Sequence, residues 1–429
     1  MRRFLRTLKN LIPQRSPLRL WWHRARAFLA AAINGFPARR LMVIAVTGTD
    51  GKTTTVGMTA HILAMNGKKV GALSTAFLRI GKEITWNQTQ KTSPSPFLIQ
   101  HFLKDLVSAG CTHAVLEVSS HGLVQGRLNY TWPRIAGFTN LTPEHLDYHG
   151  TLEQYRKDKG LLFAMIPMDG TIVLNRDDAS AAFFRSCTPA RALFYSTRQR
   201  TDFRLSDSAH QNGSTRALLH APDGHTHILA LPVPGAFNLE NALCAIACTS
   251  AAGVPVEDAV TALKSFRGVS GRMERIDEGQ NFSVYVDFTV TPAAYEKTLS
   301  TLRTILPEGK RLLVLTGSCG DRMREKRPLV GEICSRLADV VVVTNEDPYT
   351  EDPQKIIDEV WAGMDQSACT AQKILDRREA MQWLLQQAKP GDAVILCAKG
   401  SDTTMMTAEG QVPWNEREIV REMLRMMKQ

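Results

Sequence analysis

The first forty residues contain no aspartate or glutamate. They carry ten basic residues: Arg2, Arg3, Arg6, Lys9, Arg15, Arg19, Arg24, Arg26, Arg39 and Arg40. The whole chain has 52 Lys and Arg against 42 Asp and Glu, a formal charge of +10. Removing the ten leaves 42 against 42, so the excess sits in residues 1–40 and the body is neutral. A neutral body gives a polyanion no field to follow, which argues against nucleic acid as a partner.

Also missing are an uninterrupted apolar run of 18 residues, a Cys-x-x-Cys pair, an internal repeat and a low-complexity linker. The first absence argues against a membrane-spanning helix. The second leaves eight cysteines without framework spacing, which reads as reduced thiols of a cytosolic protein rather than a zinc ribbon. Cys244 and Cys248 lie four apart on a predicted helix and read as core. With 429 residues, the chain has room for two or three domains with ample core.

Residues 41–47, LMVIAVT, form an apolar, β-branched run suited to a buried parallel strand. The stretch VTGTDGKTTT, residues 46–55, comes next. The phosphate-loop pattern G-x-x-x-x-G-K-[ST] would place its first glycine at position 46, which is Val46. What remains is a shortened loop, Gly48, Thr49, Asp50, Gly51, Lys52, Thr53 and Thr54, running into a helical pattern over 52–66. Gly48 and Gly51 allow a tight turn and close approach to an anion. Lys52 can reach outer phosphates, and the Thr53 hydroxyl can hold Mg²⁺. A triphosphate would then sit on a helix N-terminus. The competing reading, a turn without ligand, is disfavoured by strand, loop, Gly-Lys-Thr and helix standing in the required order.

Strand patterns at 41–47, 69–74, 112–118, 135–141 and 171–175 alternate with helical ones at 52–66, 96–109 and 151–166. This alternation predicts an α/β fold, a doubly wound parallel sheet. Residues 190–233 are more polar and predict a small antiparallel excursion, followed by helices at 238–252 and 256–266. After GVSGR, 268–272, the alternation restarts with strands at 283–288, 311–316, 339–344 and 392–397. Helices at 293–305, 327–337, 353–364, 378–388 and 415–428 lie among them. The expected domains are a basic arm, 1–40, a P-loop ATPase domain, 41–268, and a Rossmann-like α/β domain, 269–429.

Three further stretches carry chemistry. LEVSSHGL, 116–123, puts Glu117 at the carboxyl end of a strand, where open α/β sheets bind ligands. FTNLTPEHLDYHG, 138–150, contains His145, and YRKDKGLLF, 155–163, puts Lys159 on a helix. Singly, each has a plainer explanation: a strand-end charge, a core histidine, a solvated lysine. Together with the shortened loop they resemble the Mur ligases, which join amino acids to carboxylates with ATP, and most closely the UDP-N-acetylmuramoyl-tripeptide synthetase branch.

That resemblance covers residues 43–400 and implies roles. Lys52 and Thr53 would bind ATP phosphates and one Mg²⁺. Glu117, His145 and Lys159 would serve the second metal, with Lys159 carbamylated as in the family. Thr53 and these three form the implied metal set. Asn238, in GAFNLENALCA, matches the adenine side. Arg272, in SGRME, would approach the phosphates, and Asp287 remains from the family's Asp-Tyr-Ala-His-Thr-Pro. Lys52, Glu117, His145, Lys159 and Arg272 are the implied catalytic set. Thr92 in KTSPSP, with Ser119, Gln125 and Arg127, matches contacts to the muropeptide acceptor. Arg322, Asp347, Tyr349 and Asp402 fall on the amino-acid side. The implied reaction forms an acyl phosphate from the acceptor carboxylate and ATP, then an amide, in peptidoglycan precursor synthesis in the cytoplasm.

The sequence departs from the family in places. The loop strand begins at 41, which leaves no room for the usual uridine-binding domain before it. The family's histidine after Asp287 is Val290 here, and its glutamate near the end is Asp402. Tyr349 stands where diaminopimelate-adding enzymes carry arginine. A distal carboxylate is best held by a guanidinium, so lysine or another diamino acid without one is expected to serve at least as well. Rival readings are a folate polyglutamyl ligase, a lipid-linked precursor enzyme and a nucleotide-binding paralogue without turnover. EVSSHGL and HLDYHG favour the muropeptide branch, and retention of Lys52, Glu117, His145 and Lys159 favours turnover.

The arm reads in two ways. MRRFLRTLKNLI, 1–12, places Phe4, Leu5, Leu8, Leu11 and Ile12 on one helical face with basic residues on the others. LRLWWHRARAFLAAAINGF adds Trp21 and Trp22 beside Arg19, Arg24 and Arg26. Residues 1–35 would thus lie on the inner face of a membrane. Equally, the arm packs on the central domain with its arginines toward the acceptor.

Overall fold

The computed structural model describes residues 15–211 and 214–427. The amphipathic helix expected over 1–12 lies outside the described residues. Eleven strands form the first sheet: β1 Met42–Thr47, β2 Val70–Leu73, β3 Phe77–Ile80, β4 Glu83–Trp86, β5 His113–Glu117, β6 Ile135–Phe138, β7 Thr171–Asn175, β8 Arg191–Ser196, β9 Phe203–Gln211, β10 Ser214–His220 and β11 Thr226–Leu231. Their order is β11-β10-β9-β8-β7-β6-β1-β5-β2-β3-β4. β1 is central and pairs in parallel with β5 and β6. The β1–β5 register sets Val46 opposite Glu117. The loop after β1 and the carboxylate ending β5 therefore emerge side by side at the carboxyl edge, where a doubly wound sheet opens a crevice.

Helices cover both faces. On one, Val56, Ile62 and Leu63 of Lys52–Met65 pack with Leu239, Leu243, Cys244 and Cys248 of Ala236–Ala251. On the other, Ile99, Phe102 and Leu103 of Pro96–Ser108 join Leu162 and Phe163 of Leu152–Ala164. Side-chain caps start these last two helices: Ser95 accepts from the Leu98 amide and Thr151 from the Gln154 amide.

The region 190–233 is antiparallel from β9 to β11, as expected, but continues the main sheet. It is not a separate excursion: β8 joins β7 in parallel, β9 joins β8 in parallel, and β10 and β11 extend the same sheet antiparallel. One face of these strands packs on Ala236–Ala251 through Tyr195, Leu205, Leu219 and Leu231; on the other, Ala192 and Phe194 of β8 still meet the opposite core, whereas Ile228 of β11 is exposed.

The second sheet has the order β12-β13-β17-β14-β15-β16, from β12 Glu274–Ile276, β13 Ser283–Val286, β14 Leu312–Thr316, β15 Val340–Val343, β16 Thr370–Lys373 and β17 Ala393–Leu396. All pairs are parallel except β12–β13. A hairpin, β18 Thr404–Thr407 and β19 Gly410–Pro413, stands apart. Among the described residues the arm contributes the α-helix Pro17–Ile33, begun by Ser16 and Pro17, whose Ala27, Ala30 and Ala31 are buried, and a short 3-10 helix, Pro37–Arg40. It packs against Pro96–Ser108.

Candidate active site

β1 ends at Thr47 and the chain turns at Gly48. A side chain at position 48 would place its Cβ 1.8 Å from Thr139 Oγ1, and one at Gly51 (φ +81°) would place it 2.2 Å from Asn241 Oδ1. Both glycines are thus imposed by what packs behind the loop. Thr53, in the first turn of the helix, donates from Oγ1 to Glu117 Oε2 at 3.0 Å. The Thr75 amide donates to the same oxygen at 2.7 Å, and the Thr75 hydroxyl to Oε1 at 2.9 Å. Thr75 Oγ1 also lies 2.8 Å from Thr92 Oγ1, tying this end of the loop to the residue expected near the acceptor.

Two lysines flank the loop from opposite sides. Lys52 Nζ donates to the Thr49 carbonyl at 2.6 Å, and Lys159 Nζ to the Gly48 carbonyl at 2.6 Å. Lys159 is buried behind the loop and does not itself line the cleft. Burial, then the nearby Lys52 charge, drives its pKa well below the ordinary lysine value. Its Nζ rests 4.5 Å from the centre of the Tyr155 ring. His145, in a left-handed conformation (φ 57°), lies edge-on to His121 at 4.9 Å. Burial, then the His121 neighbour, pushes His145 well below its usual range, and burial brings His121 to about 3. Both rings are therefore neutral near pH 7, the form in which an imidazole can offer a lone pair to a cation.

On the side expected to meet the acceptor, Arg127 donates to Gln125 Oε1 from Nε (3.1 Å) and Nη2 (2.6 Å), and to the Ser93 carbonyl at 2.5 Å. Arg127 and Thr92 line the cleft; Gln125 does not, and holds Arg127 instead. Ser119 lines the cleft while its Oγ accepts from the Gly122 amide.

The second sheet closes the other wall. Arg272 donates to Thr53 Oγ1 at 3.4 Å and lies 4.3 Å from the Phe288 ring centre. Burial raises Asp287, beside it, to about 6. Thr291 donates to the Asp50 carboxylate at 3.3–3.4 Å. Lys326 meets Glu144 at 3.3 Å, both buried. Lys399 is held between Asp347 (2.9 Å) and Asp402 (3.4 Å), so its positive charge is already compensated within the protein. Burial raises Asp402 to about 6. Arg322 lies over the Tyr349 ring at 5.4 Å, 3.5 Å from its hydroxyl, and forms no ion pair among the described residues. Asn238 lines the same cleft of about 890 Å³.

Among the described residues no three His, Cys, Asp or Glu side chains gather into a metal cage. The donors fit a hard cation held chiefly by phosphate oxygens: the Thr53 hydroxyl and Glu117 carboxylate are in direct contact at the loop. A neutral, buried Lys159 amine fits a site of carbamate formation, because only the unprotonated amine adds to carbon dioxide.

Two family models match the chain: the Mur ligase middle domain over 46–249 and the Mur ligase glutamate ligase domain over 271–400. The chain is 39% identical to a UDP-N-acetylmuramyl-tripeptide synthetase of Roseiflexus sp. (strain RS-1), covering 91% of this chain and 80% of the relative. The chain belongs to the Mur ligase family. Another relative, 36% identical over 93% of this chain and 82% of its own length, is a UDP-N-acetylmuramoyl-L-alanyl-D-glutamate–2,6-diaminopimelate ligase of Geobacillus kaustophilus (strain HTA426). A solved diaminopimelate ligase matches with 31% identity and a TM-score of 0.63, over 91% of this chain and 79% of that one. The fold is the family's, a P-loop sheet with a Rossmann-like partner sheet, and a Mur ligase is an ATP-dependent enzyme that forms amide bonds.

Within this Mur ligase, sequence reasoning missed the residues that position others. Thr75 orients Glu117, Asn241 packs under Gly51, and Lys326 neutralises Glu144. A chain runs Ser120–His149–Asp158–Arg15, with contacts of 2.9, 2.5 and 2.7 Å. Asp158 is the residue before Lys159, so the arm is tied to the helix carrying that lysine. Only this adjacency was visible beforehand.

Proposed function

We propose that this enzyme adds an amino acid to the free carboxylate of a muropeptide, with ATP and Mg²⁺, as a step of peptidoglycan precursor synthesis in the cytoplasm. The domains we assign are 41–268 and 269–429. The supporting observation is convergence: the phosphate loop, Thr53–Glu117, Arg127 and the Arg272 wall face one cleft.

The residues divide the work. Backbone amides of Gly48–Thr54 at the helix N-terminus, with Lys52, would cradle the triphosphate. Arg272 reaches the same threonine from the opposite wall and would stabilise charge on the transferring phosphoryl group. Thr53 would hold one Mg²⁺, and Glu117, in contact with it, would serve a second with His145 and a carbamylated Lys159; such ions would supply charge neutralisation. Arg127 would hold an acceptor carboxylate. That carboxylate oxygen attacks the γ-phosphorus, the bond to the β-phosphate oxygen breaks, and ADP leaves. The amine then attacks the acyl carbon, the carbon–oxygen bond to phosphate breaks, and the amine proton passes to solvent. Contacts across the cleft, Thr291–Asp50 and Lys326–Glu144, limit water that would hydrolyse the acyl phosphate.

For the amine, Arg322 is a guanidinium on the Asp347 side without a carboxylate partner among the described residues. One such group serves one carboxylate, the α-carboxylate common to all amino acids. Tyr349 offers a distal carboxylate only a hydroxyl and a ring. Incubation with ATP, Mg²⁺, UDP-MurNAc-dipeptide and a pool of amino acids tests the proposal. A product heavier by one amino-acid residue supports it; ADP formation with no new amide contradicts it.

A further inference from the structure

Helix Pro17–Ile33 has two unlike faces. Ala27, Ala30 and Ala31 are buried on one side. On the other, Leu18, Trp21, Trp22, Leu29 and Ile33 are each more than half exposed, with Trp21 at 64% and Leu18 at 67%. At 3.6 residues per turn these five fall within an arc of roughly 120°. Arg19 and Arg26 border that arc on one side and Arg24 on the other. Two adjacent tryptophans left in water beside arginines need an occupant, because monomers rarely expose such a stripe.

Charge selects the occupant. The stripe lies in the segment that holds the chain's whole excess of ten positive charges and no acidic residue. A second copy would bring two such arms together, which like charges oppose. A surface both negative and apolar just beneath matches the segment's positive charge and the stripe at once, and tryptophan favours that boundary. We propose that this face of helix Pro17–Ile33 lies in the headgroup layer of an anionic lipid bilayer. Among the described residues no helix is long and apolar enough to cross one, so the contact is peripheral.

The helix is also fixed to the acceptor end of the molecule. Arg26 lies 5.9 Å from the Phe97 ring centre, at the start of the helix that follows Thr92 and Ser93. Arg24 passes beside Gly126, next to Arg127. Docking therefore holds that end of the cleft at the lipid surface. The proposal does not depend on the ligase reading, since its test reads binding.

The full chain is floated with vesicles of phosphatidylcholine alone and of phosphatidylcholine mixed with phosphatidylglycerol. Binding to the mixed vesicles at low salt, weakened by added salt, with a blue shift of tryptophan emission, is expected. Trp21→Glu with Leu29→Glu, both exposed positions, should lower binding by about tenfold or more without changing the melting temperature. Trp22→Ala is the milder second variant and should remove part of the emission shift. No binding to anionic vesicles, or equal binding by wild type and both variants, overturns the proposal. Concentration-dependent dimerisation abolished by these substitutions, with no vesicle binding, would assign the face to a second copy and overturn it as well.

Discussion

Lys159 Nζ lies 2.6 Å from the Gly48 carbonyl oxygen, so a buried lysine is pinned to the backbone that begins the phosphate loop. Among the described residues it forms no ion pair. A neutral amine so placed brings a metal no negative charge, whereas its carbamate would attract one. Lys159→Ala is therefore expected to lower ligase turnover by about 100-fold or more while ATP still binds. Short carboxylates added to the assay should restore part of the rate. Full activity without rescue would refute the carbamate.

Amine choice follows from Tyr349 and Arg322. Lysine should compete at least equally with meso-diaminopimelate when both are offered together and products are resolved by mass. A clear preference for diaminopimelate would show that the distal carboxylate finds a partner that this account does not assign.

Glu346 gives a pH signature. Burial, then the adjacent Asp347, raises its pKa from 4.5 to about 7. Between those values the folded chain binds more protons at this site than the unfolded one, so stability falls as pH rises through this window and then levels off. Glu346→Gln removes that fall. Its melting temperature relative to wild type should be higher at about pH 8 than at about pH 5. A difference independent of pH would mean that Glu346 does not titrate in this range.

Much of this was legible in the sequence because local pattern and tertiary role agree. LMVIAVT is buried on both faces as β1, and the chain from Gly48 to Thr54 needs its glycines for packing and its polar groups for phosphate. β3 and β4 were not legible: Glu83–Trp86 is exposed throughout and has no core face to mark it. Nor were partners distant in sequence. Glu144 and Lys326 are 182 residues apart, and each is an ordinary surface residue type until the two halves meet. Gln125 is expected among the acceptor contacts from its match to the family's SSHGLVQGR block; its hold on Arg127 depends on a turn that the sequence does not announce.

The Glu144–Lys326 pair supplies a further test. Among the described residues the buried Glu144 Oε2 has no hydrogen-bond partner, so Lys326 is the principal compensation for the carboxylate. Lys326→Met should destabilise by about 3–5 kcal/mol, and adding Glu144→Gln should recover most of it. A single-variant loss below about 1 kcal/mol would indicate a solvated pair. Chemical denaturation of both variants decides.

The acyl phosphate is the central claim, and isotope transfer tests it most directly. The acceptor carboxylate is labelled with ¹⁸O and the inorganic phosphate released during turnover with ATP and amino acid is collected. Transfer of one labelled oxygen from carboxylate to phosphate is predicted, because the attacking oxygen leaves on phosphorus. Unlabelled phosphate accompanying amide formation would contradict the mechanism.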